Sequence, residues 1–192
     1  LHTKRIGHGG TLDPMATGVL PVFVGRATRA VEFFEHADKT YEAVLLLGVI
    51  TDTEDTTGEI LEKREVSATK EDILAVLPQF TGEIQQIPPM YSALKVNGQK
   101  LCDLARKGKE VERRPRPITI HELTLLGMDA DGIRLRVHCS KGTYIRTLCK
   151  DIGEALGCGG CMKELRRVQA GEYTIAEAVP LEELLASEDP GA

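Results

Sequence analysis

The sequence predicts an α+β fold built on a mixed, mainly antiparallel sheet flanked by helices. Three observations carry this. Turn dipeptides that suit tight hairpins, Asn97-Gly98 and Asp131-Gly132, each lie between apolar stretches. Apolar residues at helical spacing are interspersed among those hairpins instead of alternating strictly with single strands. No internal repeat or low-complexity tract interrupts the pattern. A length of 192 residues fits one domain at roughly 150 residues each. Apolar residues make up 42% and charged residues 28%, which is incompatible with a wholly disordered chain. No apolar run reaches the roughly 18 residues of a membrane span, and no stretch shows a signal-peptide pattern. Trp is absent and Phe and Tyr number four each, so the core must be mostly aliphatic.

Residues 1–10, with Gly7, Gly9 and Gly10, read as a loop. Proline restrains the residue before it, so Asp13-Pro14 reads as a fixed turn. Residues 19–24 form a short apolar run, a buried strand by its length. Ala27, Ala30, Val31 and Phe34 predict a helix over 27–36, and residues 41–50 a strand. Residues 51–58 are polar and turn-like, with a short strand near 59–62. Thr69-Lys-Glu-Asp72 has the form of a capping box opening a helix. Pro88-Pro89 then breaks the chain. After the Asn97-Gly98 hairpin, residues 101–107 suit a short helix. Residues 118–126 and 133–139 read as paired strands. Ile145, Leu148, Ile152 and Leu156 recur at helical spacing before Gly157, and 180–186 suit a last helix.

The net charge of −5 is unevenly spread. Residues 95–117 hold eight bases against three acids, and residues 134–150 hold five bases and no acid. Acid concentrates in residues 52–72 and 172–192. Screening confines each charge to about 8–10 Å, so basic tracts on an acidic chain can still grip a polyanion. Five cysteines form an odd set, and the lone Cys158-Gly-Gly-Cys161 lacks the second pair that a zinc site wants. They read as reduced thiols without a ligand role.

Familiar catalytic constellations are missing. The sequence has no phosphate-binding P-loop, no nucleophile elbow and no dinucleotide fingerprint. Its histidines lack metal-ligand spacing. What remains is Gly7-His-Gly-Gly-Thr-Leu-Asp-Pro-Met-Ala-Thr-Gly18. An aspartate on a glycine-lined turn can be approached closely by a ligand. On spacing alone, a purely structural Asx-Pro turn explains it more readily.

That stretch closely resembles the active-site motif of the bacterial TruB family of tRNA pseudouridine-55 synthases. The resemblance continues in order through Asp38-Lys-Thr-Tyr-Glu-Ala43, Thr51-Asp-Thr-Glu-Asp-Thr-Thr-Gly58, Pro88-Pro-Met-Tyr-Ser-Ala-Leu-Lys95 and Val96-Asn-Gly-Gln-Lys100. Ser140-Lys-Gly-Thr-Tyr-Ile-Arg-Thr-Leu148 and Leu165-Arg-Arg167 complete the series, which covers about residues 4–185. Cys161 and Cys102 depart from the family, which favours His or an aromatic at the first place and Tyr at the second.

The resemblance implies the pseudouridine synthase fold and isomerisation of uridine to pseudouridine in the tRNA T-loop, without metal or cofactor. It places the catalytic aspartate at Asp13, its arginine partner at Arg146 and the base-stacking tyrosine at Tyr41. Leu165 would line the base pocket, and His8 would occupy the space vacated by the extruded uridine. Read alone, these would be a phosphate-binding or surface arginine, a half-buried strand tyrosine, a core leucine and a solvated histidine. Residues 88–117 would be a basic, thumb-like insertion, with Lys95, Lys100, Arg106, Lys107, Arg113, Arg114 and Lys141 contacting RNA. The expected organisation is a catalytic domain over 1–171, with the family's N-terminal strand and helix outside this sequence. Residues 172–192 would begin the C-terminal region. The expected partner is the tRNA T-arm stem-loop, with no membrane or protein partner, and the expected setting a cytoplasmic monomer. A non-catalytic tRNA binder or folding chaperone is the alternative.

Overall fold

The structure is a computed structural model and describes residues 3–187. In chain order its strands begin with β1 (Ile6–His8), β2 (Thr17–Gly18) and β3 (Val22–Val24). A 3₁₀ turn over Gly25–Ala30 runs into α1 (Val31–Phe34). Then come β4 (Lys39–Leu47), β5 (Val49–Thr51), β6 (Ile60–Lys63) and α2 (Lys70–Val76). Next are β7 (Gly82–Gln86), β8 (Lys95–Val96), β9 (Gln99–Lys100) and α3 (Leu101–Ala105). The chain continues through β10 (Arg116–Asp129), β11 (Gly132–Cys139) and α4 (Ile145–Ala155). It closes with β12 (Gly160–Ala170), β13 (Tyr173–Thr174) and α5 (Leu181–Ala186).

One sheet organises the molecule, in the order β13-β12-β4-β11-β10-β7. Every neighbouring pair along this path is antiparallel. The exception is β2, which lies parallel to β12 and makes the sheet mixed. The expected fold class is therefore the one observed. On β4 and β11, Ala43, Leu45, Ile133, Leu135 and Val137 are buried on one face, and they meet Ile145, Leu148 and Ile152 of α4 in a single aliphatic cluster. Full burial of such a side chain contributes about 1.5–3 kcal/mol, so this layer fixes α4 against the sheet. Among the described residues, no helix is long and apolar enough to cross a membrane.

Several local readings hold. Thr69 caps α2, its hydroxyl accepting from the Asp72 amide while the Asp72 carboxylate accepts from the Thr69 amide. The β8–β9 hairpin turns on Asn97 and Gly98, both at positive φ, the conformation a two-residue turn demands. Others are corrected. Residues 6–8 are not loop, because they pair with β3 as a small two-stranded sheet. In the 19–24 run, only Val22–Val24 is strand, and Val22 is exposed. The helix expected over 27–36 is split between the 3₁₀ turn, which ends at Ala30, and the single α-turn Val31–Phe34. The central strand β12 had no counterpart in the sequence reading, nor did β7.

Candidate active site

The segment 10–19 between β1 and β3 carries Asp13. The Asp13 carbonyl accepts from the Ala16 amide at 2.9 Å, closing a turn with Pro14 at its first corner. Beyond it, β2 docks in parallel on β12, Gly18 opposite Arg167. Gly18 has φ +104°, and a Cβ there would sit 2.1 Å from the Arg167 carbonyl oxygen. Only glycine permits this approach.

Arg146 occupies the first turn of α4 and is 5% exposed. Its Nε donates to Asp13 Oδ2 at 2.8 Å and its Nη2 to Asp13 Oδ1 at 3.1 Å. This two-pronged pairing fixes both position and rotation of the carboxylate. Nη1 donates to the Thr53 carbonyl at 2.9 Å and Nη2 donates also to the Tyr91 carbonyl at 2.9 Å. Asp55 Oδ2 lies 3.7 Å from Arg146 Nε. The arginine is thus buried and donates four hydrogen bonds, while the Asp13 side chain keeps 33% of its surface open.

The polar 51–58 turn holds that arrangement. Asp55 Oδ1 accepts from the Thr53 hydroxyl, the Thr57 amide and the Thr57 hydroxyl at 2.8, 2.9 and 2.5 Å. Glu54, buried and at φ +64°, accepts from Thr147 at 2.6 Å and Lys150 at 2.8 Å. Gln86 makes a reciprocal pair with Tyr144, accepting from its amide at 2.8 Å and donating to its carbonyl at 3.0 Å. These contacts tether the N-terminal turn of α4 from two sides.

Tyr41 and Arg167 face each other across β4 and β12, and Leu165 sits opposite Ala43 on the same face. Burial pushes the Tyr41 phenol up, the Arg167 charge opposes that push, and Asp13 adds to it. The structure therefore joins Asp13 with Arg146 and sets Tyr41 within reach of the Asp13 charge, with Leu165 adjoining on the strand that faces Tyr41. His8 is exposed at the end of β1, before this loop. A cavity of about 440 Å³ is lined by Met15, Thr17, Glu42, Arg134, Leu165 and Arg166 among others. It shares Leu165 with the site, but Asp13, Tyr41 and Arg146 do not line it.

The basic residues divide. Lys95, Lys100, Arg106, Lys107 and Arg114 are exposed in the insertion. Arg113 turns inward instead, donating to the Pro88 carbonyl and Glu110, both at 3.2 Å. It closes the base of the insertion, a role that charge alone did not suggest. Lys141 is exposed and hydrogen-bonded to His36 at 2.7 Å. Among the described residues, no group of three or more His, Cys, Asp or Glu could hold a metal ion.

Comparison with known proteins decides the lineage. Residues 1–145 match the TruB family pseudouridylate synthase N-terminal domain. The chain belongs to the TruB family. Residues 146–189 match the tRNA pseudouridylate synthase B C-terminal domain, so the junction falls at the start of α4, within one continuous sheet. The chain is 56% identical over 186 residues to a tRNA pseudouridine synthase B of Pseudomonas fluorescens, covering 97% of this chain and 61% of the relative. A Clostridium acetobutylicum protein of the same name is 50% identical over 181 residues, covering 94% and 63%. The chain thus spans about three fifths of the length of these relatives. A solved chain from a Cbf5-Nop10-Gar1 complex superposes with TM-score 0.73 at 33% identity, covering 95% of this chain and 46% of that one.

In this TruB chain, Thr53, Asp55, Tyr91 and Arg167 belong to the site's framework and were not singled out individually from sequence. Asp55 and Thr53 lay inside a motif whose polarity reads simply as a turn. Tyr91 contributes only its carbonyl to Arg146, which no side-chain pattern reveals. Arg167 sits in a charged stretch that resembles surface.

Proposed function

We propose that the chain isomerises uridine to pseudouridine at position 55 in the T-loop of tRNA, with Asp13 as the catalytic carboxylate and no cofactor. The observation that carries this is the Asp13 carboxylate, open to solvent on one side and held on the other by the buried fork of Arg146. Such a group is oriented before the substrate arrives. The name shared by relatives of 50% and 56% identity supports the reading. The bond from ribose C1′ to N1 breaks, the base turns, and C5 joins C1′. The proton on C5 leaves and N1 gains one, so no redox partner or energy source is needed. Asp13 either attacks C1′ or takes a proton from C2′. Tyr41 stacks on the base and Leu165 lines its pocket.

A uridine within a folded loop must be extruded first, and His8 fills the vacated space. In this reading 1–171 is the catalytic domain and 172–192 opens the C-terminal region. The insertion over 88–117 grips phosphates through Lys95, Lys100, Arg106, Lys107 and Arg114, with Lys141 beside the α4 turn. One chain supplies Asp13, Tyr41 and Arg146, which supports the reading of a monomer acting in the cytoplasm on the T-arm stem-loop.

The test is tritium release from C5-labelled uridine in an unmodified tRNA, comparing the parent with Asp13→Asn. The expected result is release by the parent alone, with tRNA binding retained by both. Binding without release by the parent would overturn the catalytic reading in favour of a non-catalytic tRNA binder or folding chaperone.

A further inference from the structure

Among the described residues Arg167 is the largest fully buried side chain, at 1% exposure. Among the described residues it has no carboxylate within ion-pairing distance. An unpaired buried cation is costly, so its hydrogen bonds must be specific. Its Nε donates to the Val19 carbonyl at 2.8 Å and its Nη2 to the Gly10 carbonyl at 3.0 Å. Its own carbonyl accepts from the Val19 amide at 2.8 Å. Val19 is therefore gripped through both its N–H and its C=O by one residue. Gly10 and Val19 are the two ends of the segment that carries Asp13, and Tyr41 stands opposite on β4.

We propose that Arg167 is a positioning residue: it pins both ends of the Asp13 segment to β12, setting where the backbone carries the carboxylate while Arg146 sets how that carboxylate is turned. The inference rests on the reading of this chain as a pseudouridine synthase. Two separate anchors are needed because Arg146 holds only the side chain. Without the Arg167 side chain the Gly10 end loses its anchor and the Val19 end keeps only main-chain contacts to β12, so the segment can shift and take the Asp13–Arg146 geometry with it. A fork is required as well. The two acceptors are served by two different nitrogens of the guanidinium, and a lysine has one nitrogen to offer. The charge is felt nearby: burial lowers the Lys39 ammonium, and Arg167 lowers it further.

The test uses Arg167→Lys, Arg167→Gln and Arg167→Ala with tRNA, below the melting temperature of each. Ile152→Ala, a core substitution in α4, is the control for general destabilisation. The expected result is a single-turnover rate down about a hundredfold in all three, the size of loss that follows an ångström-scale misplacement. Affinity for tRNA should stay within threefold. Guanidinium ion should partly restore Arg167→Ala, and sodium at the same concentration should not. Hydrogen exchange should rise over residues 10–19 while α4 stays protected. Rates within threefold of the parent would overturn the proposal. So would loss of protection throughout α4 and β10, or failure to fold, either of which assigns Arg167 to the core alone. An inactive parent would sink the functional reading instead, and the exchange pattern would still judge whether Arg167 holds the segment.

Discussion

Arg146→Lys tests whether the fork, and not merely the positive charge, builds the site. Arg146 donates four hydrogen bonds from three nitrogens. A lysine ammonium can follow Asp13 but leaves the Thr53 and Tyr91 carbonyls without their donor. A buried acceptor stripped of its partner costs about 1–3 kcal/mol. Both residues are half-buried, which puts the sum for the pair at about 2–4 kcal/mol. In a domain of this size each kcal/mol moves Tm by about 2–4 °C, so the midpoint should fall by about 4–16 °C. Turnover should fall further than stability. With only one prong the carboxylate can rotate, and a displacement near 1 Å costs about a hundredfold. Circular dichroism melts give the first quantity and tritium release at 25 °C the second. A variant with an unchanged midpoint and turnover within threefold of the parent would refute the reasoning.

Two further predictions concern buried titratable groups. Burial pushes the Cys139 thiol up to about 12 and that of Cys161 to about 11; Cys149 and Cys158 are raised by the same cause. At pH 8 only about one Cys161 in a thousand is then thiolate, so Ellman's reagent should label Cys102 quickly in the folded chain and all five thiols in denaturant; a second fast thiol would show the α4–β12 packing to be open. Burial also raises the Asp151 carboxyl, with Glu54 and Glu154 adding to the rise and Lys150 opposing it. The folded state then holds that proton more tightly than the unfolded state. The stabilisation it brings is complete below the ordinary aspartate value and is lost as pH rises through the folded one. Asp151→Asn should therefore melt higher than the parent at pH 7, with the gap closing toward pH 3.8 and below; a parent that is more stable at pH 7 would contradict the argument.

The sequence made the hairpin-forming strands and the helices of the core legible because local chemistry decided them. Asp131-Gly132 dictates the β10–β11 turn, and Thr69 with Asp72 dictates the start of α2. β12 stayed invisible because its period is broken. Bulges fall between Met162 and Glu164 and between Arg167 and Gln169, and Lys163, Glu164, Arg166 and Arg167 disguise a central strand as surface. Arg167 is buried only because it satisfies carbonyls distant in sequence. Asp13, Tyr41, Arg146 and Leu165 were legible through family motifs; composition and spacing alone would have left Asp13 a turn residue. Arg113 shows the limit of charge counting, since a basic residue in a basic tract can serve the fold by bonding a backbone carbonyl.

The carboxylate and guanidinium of the site stand 133 positions apart in the chain. During synthesis at about 5–20 residues per second, Arg146 is added roughly 7–27 s after Asp13, and Arg167 comes later still. Until then the nascent Asp13 segment has neither its ion-pair partner nor its backbone anchor. Ordering it requires closing a long loop, whose entropy must be met before its contacts can form. The carboxylate is thus oriented only once the sheet has closed through β12, so the site is the last part of the fold to be assembled.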